Sequence, residues 1–107
     1  MAIHESKFQR DLIWELKQRF PGCIVMKNDP NYIQGIPDLI ILYKNKWAAL
    51  ECKRSAHEKH QPNQDYYISM MDDMSFASFV YPENKEDVLY AMEQSLCSRR
   101  KTRISKC

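Results

Sequence analysis

The sequence predicts an α/β domain of three layers, with helices on both faces of a mixed four-stranded sheet. Three observations predict it. Hydrophobic spacing alternates along the chain between helical and strand periods, in the order helix, three strands, helix, strand, helix. The two central strands are apolar on both faces, so the sheet needs cover on both sides. The third strand, the helix after it and the fourth strand can form a right-handed parallel crossover.

Each element has its own signal. Phe8, Leu12, Ile13, Leu16 and Phe20 recur at helical spacing, which predicts a helix over 6–20. Ser6-Lys7-Phe8-Gln9 fits a capping box, with Ser6 as N-cap. Pro21-Gly22 ends that helix, and Cys23 to Lys27 reads as the first strand. Asn28 to Gly35 is a polar loop. Ile36 to Tyr43 and Trp47 to Lys53 are the second and third strands, joined by Lys44-Asn45-Lys46. Ile40, Leu42, Trp47 and Ala49 face one side; Leu39, Ile41, Leu50 and Cys52 face the other. Pro62 stands at a first-turn position and starts a helix to about Asp73, with Tyr67, Ile68, Met71 and Met74 inward. Ser75 to Tyr81 is strand four. Pro82 opens a last helix carrying Val88, Leu89, Met92 and Leu96 on one side.

Composition bounds the domain count. The chain has 107 residues, 44% of them apolar and 12 aromatic (Trp 2, Tyr 6, Phe 4), enough for one modest core. No stretch approaches the ~18 apolar residues of a membrane span, and the N-terminus lacks a signal peptide's apolar core. A cytoplasmic protein is expected. The cysteines, Cys23, Cys52, Cys97 and Cys107, show no CxxC spacing, and Cys52 reads as a buried thiol rather than a zinc ligand or disulfide partner. Residues 1–97 hold 11 Lys and Arg against 14 Asp and Glu, a formal −3. They are expected to form a single domain, followed by a basic tail over 98–107. That tail holds Arg99, Arg100, Lys101, Arg103 and Lys106, with no acid. It suits phosphate contact; the alternative is a solvated end. Arg54, His57, Lys59 and His60 form a second basic cluster after strand three.

The chemistry lies in the acids of the central hairpin. If the turn is Lys44-Asn45, Tyr43 pairs with Lys46, and counting outward brings Asp38 opposite Glu51. Opposed side chains share a face, with Cβ atoms roughly 5 Å apart. Lys53, two residues beyond Glu51, shares that face too. A turn at Asn45-Lys46 would make the pair diagonal instead, and a three-residue turn could put the acids on opposite faces without a compensating bulge. Burying charges is costly unless they are paired or bind a metal. Two carboxylates suit a hard divalent cation, with the Cys52 carbonyl as a third oxygen ligand, and Lys53 would orient water and offset phosphate charge. The alternative is an ion pair between Glu51 and Lys53 at a strand end; it leaves Asp38 with no structural duty on that face. His57-x-x-His60 lacks the partners of a tetrahedral zinc set.

Pro37-Asp38 followed by Glu51-Cys52-Lys53, with Gln61-Pro62-Asn63-Gln64 downstream, resembles the PD-(D/E)xK nucleases, and within them the VRR-NUC branch and the Holliday-junction resolvases. The resemblance runs from Glu5 to Leu96 and matches the αβββαβ order of a restriction-endonuclease-like core. It implies a Mg²⁺- or Mn²⁺-dependent deoxyribonuclease acting on branched or duplex DNA, with Asp38, Glu51 and Lys53 catalytic. It implies Glu5 as a further metal ligand from the first helix; the alternative leaves Glu5 outside a helix capped by Ser6. It implies Gln64 as a contact to the scissile phosphate or metal-bound water; the alternative is a polar residue at a helix start. A twofold homodimer is implied, since one small chain offers one active site for two strands. Such a nuclease would suit phage or mobile-element DNA processing. The rivals are a nicking or flap-type nuclease, and a nuclease-fold module that binds DNA or protein without cutting.

Overall fold

The computed structural model describes residues 2–97, with side chains from residue 7 onward. Helix α1 (Ala2–Arg19) is followed by strands β1 (Ile24–Lys27), β2 (Leu39–Tyr43) and β3 (Lys46–Cys52). Helix α2 (Gln64–Met74), strand β4 (Ala77–Val80) and helix α3 (Lys85–Leu96) complete the fold. The sheet order is β1-β2-β3-β4. The first two pairings are antiparallel and β3–β4 is parallel, so the sheet is mixed, as expected.

One face of the sheet makes the main core. Leu39, Ile41, Tyr43, Ala48, Leu50, Cys52 and Val80 meet Leu12, Leu16 and Phe20 of α1 and Val88, Leu89, Met92 and Leu96 of α3. The stripes expected on α1 and α3 and the inward strand set therefore make this core. Arg19 of α1 reaches Glu86 and Glu93 of α3 as well as Glu15 of its own helix, while Lys85 reaches back 2.7 Å to Glu15. Cys52 is a buried thiol in this core.

The second face is covered unevenly. Helix α2 packs on β3 and β4 and buries Ala49. Ile24, Met26 and Leu42 remain exposed there. The register lines them up: Ile24 opposes Leu42, which opposes Trp47, and Met26 opposes Ile40. The requirement for cover on both faces is met fully only on the α1–α3 side.

Several boundaries differ from those the sequence predicts. Helix α1 begins at Ala2, so Ser6 lies inside it and not at its N-cap position. Helix α2 begins two residues after Pro62, because Asn63 takes a left-handed conformation (φ 73°) through which a right-handed helix cannot run. Helix α3 begins at Lys85, after a turn that starts at Pro82. Met74, expected inward, closes α2 at 65% exposure.

The hairpin follows the first of these registers. Tyr43 pairs with Lys46 and Leu39 with Leu50 across a Lys44-Asn45 turn. Lys44 supplies the positive φ (57°) that two-residue hairpin turns demand. One step beyond Leu39 and Leu50 stand Asp38 and Glu51.

Candidate active site

The site is built where strands β2 and β3 open at the end away from their turn. Asp38 and Glu51 face each other there, and each carboxylate takes up a backbone N–H of the opposite strand. The Cys52 amide donates to Asp38 Oδ2 at 3.0 Å, and the Asp38 amide donates to Glu51 Oε1 at 3.2 Å. Asp38 thus does have a structural duty, contrary to the expectation from sequence: it closes the hairpin where the ladder frays. The Asp38 carbonyl also accepts the Asn28 amide at 2.8 Å, and Asn28 Nδ2 donates to the Pro37 carbonyl at 2.7 Å. These bonds fix the Pro37-Asp38 backbone against the loop that leaves β1. An extended residue points its N–H and C=O the same way. The Cys52 carbonyl therefore faces the Asp38 side with its amide, while the thiol points into the core.

Glu51 and Lys53 are each only 3% exposed. They do not form a tight ion pair; Lys53 Nζ lies 4.0 Å from Glu51 Oε2. The amide of Gln64, the first residue of α2, stands between them. Its Nε2 donates to Glu51 Oε2 at 2.8 Å, and its Oε1 accepts from Lys53 Nζ at 2.7 Å. The same Oε1 accepts the Gln61 amide at 2.8 Å, and Lys53 Nζ also reaches the Lys59 carbonyl at 3.2 Å. The parallel crossover makes this possible. The Lys53 amide donates to the Val80 carbonyl at 2.8 Å, so β3 still pairs with β4 at the site, and α2 begins above it.

Burial dominates the electrostatics of Asp38. Burial pushes the Asp38 carboxyl above its ordinary range. The Cys52 amide, the Lys53 charge and a hydrogen bond with Glu51 oppose that rise, while the charge of Glu58 adds to it. Among the described residues no three or more His, Cys, Asp or Glu side chains cluster as a ready metal cage. The oxygen donors are two carboxylates and a backbone carbonyl, a set that fits a hard, partly hydrated ion such as Mg²⁺ and not a thiolate- or imidazole-seeking one.

The remaining expected residues divide. Glu5 lies in the first turns of α1, but its side chain is outside the described residues, as are Arg99, Arg100, Lys101 and Arg103. The basic cluster after β3 splits in two. Arg54 and His57 line a cleft of about 590 Å³ with Phe8, Glu58 and Pro82. Lys59 and His60 line another, of about 520 Å³, at the start of α2. His57 and His60 form no shared metal site: the His57 amide bonds Ser55 Oγ, whereas the His60 ring contacts Asp65 and Phe79.

Sequence reasoning missed Asn28, Glu58 and Phe79. Asn28 and Glu58 sit in segments without periodicity, where nothing local predicts a partner. Phe79 could have been found: in β4 it pairs with Glu51, so its ring lies on the site face. No helix among the described residues is long and apolar enough to cross a membrane. In comparisons with known proteins, no protein-family model, no curated protein and no solved structure matches this chain.

Proposed function

We propose that this protein is a divalent-metal-dependent endonuclease that hydrolyses DNA phosphodiester bonds, directed by DNA structure rather than base sequence. One observation carries the reading. Two facing carboxylates, Asp38 and Glu51, share one end of a hairpin with a buried ammonium, Lys53, and a single amide, Gln64, links Glu51 to Lys53. The resemblance to PD-(D/E)xK nucleases supplies the substrate class.

Asp38, Glu51 and the Cys52 carbonyl would hold Mg²⁺ or Mn²⁺. The ion supplies Lewis acidity at the phosphate and lowers the pKa of a water. Lys53 Nζ, already bonded to Gln64 and Lys59, has its remaining donor capacity for the attacking water or a phosphate oxygen. Gln64 fixes the spacing of Glu51 and Lys53, so the ligand and the cation keep one geometry. Glu5 would complete the ligand set from α1. Arg54, His57, Lys59 and His60, with the basic tail, would neutralise phosphates of the flanking DNA.

A homodimer fits this activity, because cutting both strands needs two sites. The exposed apolar row of Ile24, Leu42 and Met26 supports a second copy as its cover. Sedimentation velocity tests this; a monomer at micromolar concentration refutes it. The decisive test of function is a cleavage panel of linear duplex, single strand, flap and four-way junction, in Mg²⁺, Mn²⁺, Ca²⁺ or EDTA. Metal-dependent cutting that prefers a branched substrate is the expected result. No cleavage of any substrate with any metal refutes the enzymatic reading.

A further inference from the structure

The segment 59–66 has two sides. Its inner side serves the site, through the Lys59 carbonyl, the Gln61 amide and the Gln64 side chain. Its outer side walls the cavity of about 520 Å³, within the size range of small-ligand pockets. Two rings line this cavity. The His60 ring is stacked on Phe79, at 4.0 Å between centroids and 17° between planes, so Phe79 covers one face only. Asp65 Oδ1 holds His60 Nδ1 at 2.7 Å, which fixes the ring's orientation. Tyr66 is 58% exposed, and its ring is steadied edge-to-face by Tyr67 at 5.1 Å. Lys59 adds the cation and Gln61 a neutral polar group.

We infer that this cavity receives one unpaired nucleotide of the DNA next to the scissile phosphate, its base against His60 or Tyr66 and its phosphate toward Lys59. This rests on the nuclease reading and names its substrate class. Inside a duplex both faces of a base are covered by neighbouring pairs. Aromatic side chains at the wall of a concave pocket can stack only on a base that has left that stack. The cavity sits back to back with Lys53 and Gln64 across a single stretch of backbone, so its occupant lies near the cut. A flap, a junction branch or a nick with a frayed end presents such a nucleotide; continuous duplex does not.

The test measures binding by fluorescence anisotropy with the full chain in EDTA, so that no cutting intervenes. Three duplexes of one sequence are compared: continuous, with one unpaired nucleotide, and with an abasic sugar at that unpaired position. The unpaired nucleotide should tighten binding about 5- to 150-fold over continuous duplex, the range of one base–aromatic stack. The abasic version should lose that gain. Tyr66→Leu, which keeps apolar bulk without a ring, or His60→Ala should erase most of the preference, with circular dichroism checking the fold. A preference that survives removal of the base reports DNA bending and overturns the proposal. So does a preference unmoved by both substitutions, or the absence of DNA binding. A base-dependent preference without cleavage in Mg²⁺ would uphold the cavity while refuting the enzymatic reading.

Discussion

Replacing Gln64 by leucine tests the centre of the site. The side chain is buried and makes three hydrogen bonds, two of them to charged groups: Glu51 Oε2 at 2.8 Å and Lys53 Nζ at 2.7 Å. Leucine has a similar volume, so cavity formation contributes little. The cost falls on the two charges left behind. Hydrogen bonds to charged groups contribute about 1.5–3 kcal/mol each. Lys53 keeps the Lys59 carbonyl and can close on Glu51 from 4.0 Å, which recovers part of that. A net loss of about 2–4 kcal/mol is expected. At roughly 4–8 °C per kcal/mol for a domain of this size, Tm should fall by about 8–32 °C. Urea unfolding read by tryptophan fluorescence gives the free energy directly. Gln64→Glu sharpens the test. It replaces the donor 2.8 Å from Glu51 with a second acceptor, so it should destabilise most near neutral pH and recover on acidification or with Mg²⁺. A destabilisation below about 0.5 kcal/mol in Gln64→Leu, less than one ordinary hydrogen bond, would mean that water readily replaces the amide, and the linking role would be refuted.

Asp38→Asn and Glu51→Gln should each lower cleavage by orders of magnitude in a gel assay while circular dichroism stays native; full activity in either removes the metal assignment. Lys53→Ala should reduce turnover far more than Mg²⁺ affinity measured by calorimetry, and a matching drop in affinity would make Lys53 structural. For pH, the folded Asp38 binds its proton more readily than the unfolded chain, whose value is near 3.8. Stability from this group therefore falls as pH rises from 3.8 toward the raised folded value, and Asp38→Asn should flatten that part of the Tm–pH curve. Protons compete with the ion in the same window, so the Tm gain from Mg²⁺ should shrink as pH falls through it; a pH-independent gain places the ion elsewhere. Alanine at Arg99, Arg100, Lys101 and Arg103 should lower the log–log salt slope of DNA binding by about 0.9 for each phosphate these side chains neutralise, and an unchanged slope marks a solvated end.

The hairpin was legible because its rules are local. Side chains alternate with period two, so counting outward from a Lys44-Asn45 turn opposes Asp38 and Glu51; the sequence left the turn's position open, and the structure decides for that one. Gln64 was legible as a site residue through the resemblance, but not as the link between Glu51 and Lys53. That role depends on where the crossover sets α2 over β3, which no short stretch of residues encodes. Asp38's duty at the hairpin mouth was hidden for a related reason: a carboxylate bonding a backbone amide across a strand leaves no trace in residue type. Pro62 misled because proline favours a first helical turn, yet Asn63 tolerates the left-handed conformation that delays the helix. The close approach there adds a constraint. A Cβ on Gly35 would come within 2.5 Å of the Asn63 Cβ, so the loop before Asp38 and the start of α2 are pressed together. Apolar strand faces told how much cover the sheet wants, not which element gives it. The open row at Ile24, Met26 and Leu42 could therefore not be foreseen.

The charge balance of the site sets a purely structural role for its acids against a metal-binding one. With both acids ionised, Asp38, Glu51 and Lys53 leave one surplus negative charge in a region where Glu51 and Lys53 are almost fully enclosed. Closing a frayed hairpin needs backbone caps, and neutral asparagine and glutamine would supply acceptors without repulsion. The chain instead places two carboxylates face to face and raises the pKa of one of them. A buried lysine would offset a lone glutamate well, but here the Gln64 amide holds it 4.0 Å from Glu51 rather than letting the pair collapse. A divalent cation between the acids would turn the surplus to +1, matched to one phosphodiester. A structural role predicts that the neutral variants, Asp38→Asn and Glu51→Gln, are more stable and equally functional. A metal site predicts that they are at least as stable without metal and lose both the Mg²⁺-dependent gain in Tm and the cleavage. The two outcomes separate in one melting series with and without Mg²⁺, read beside a cleavage gel.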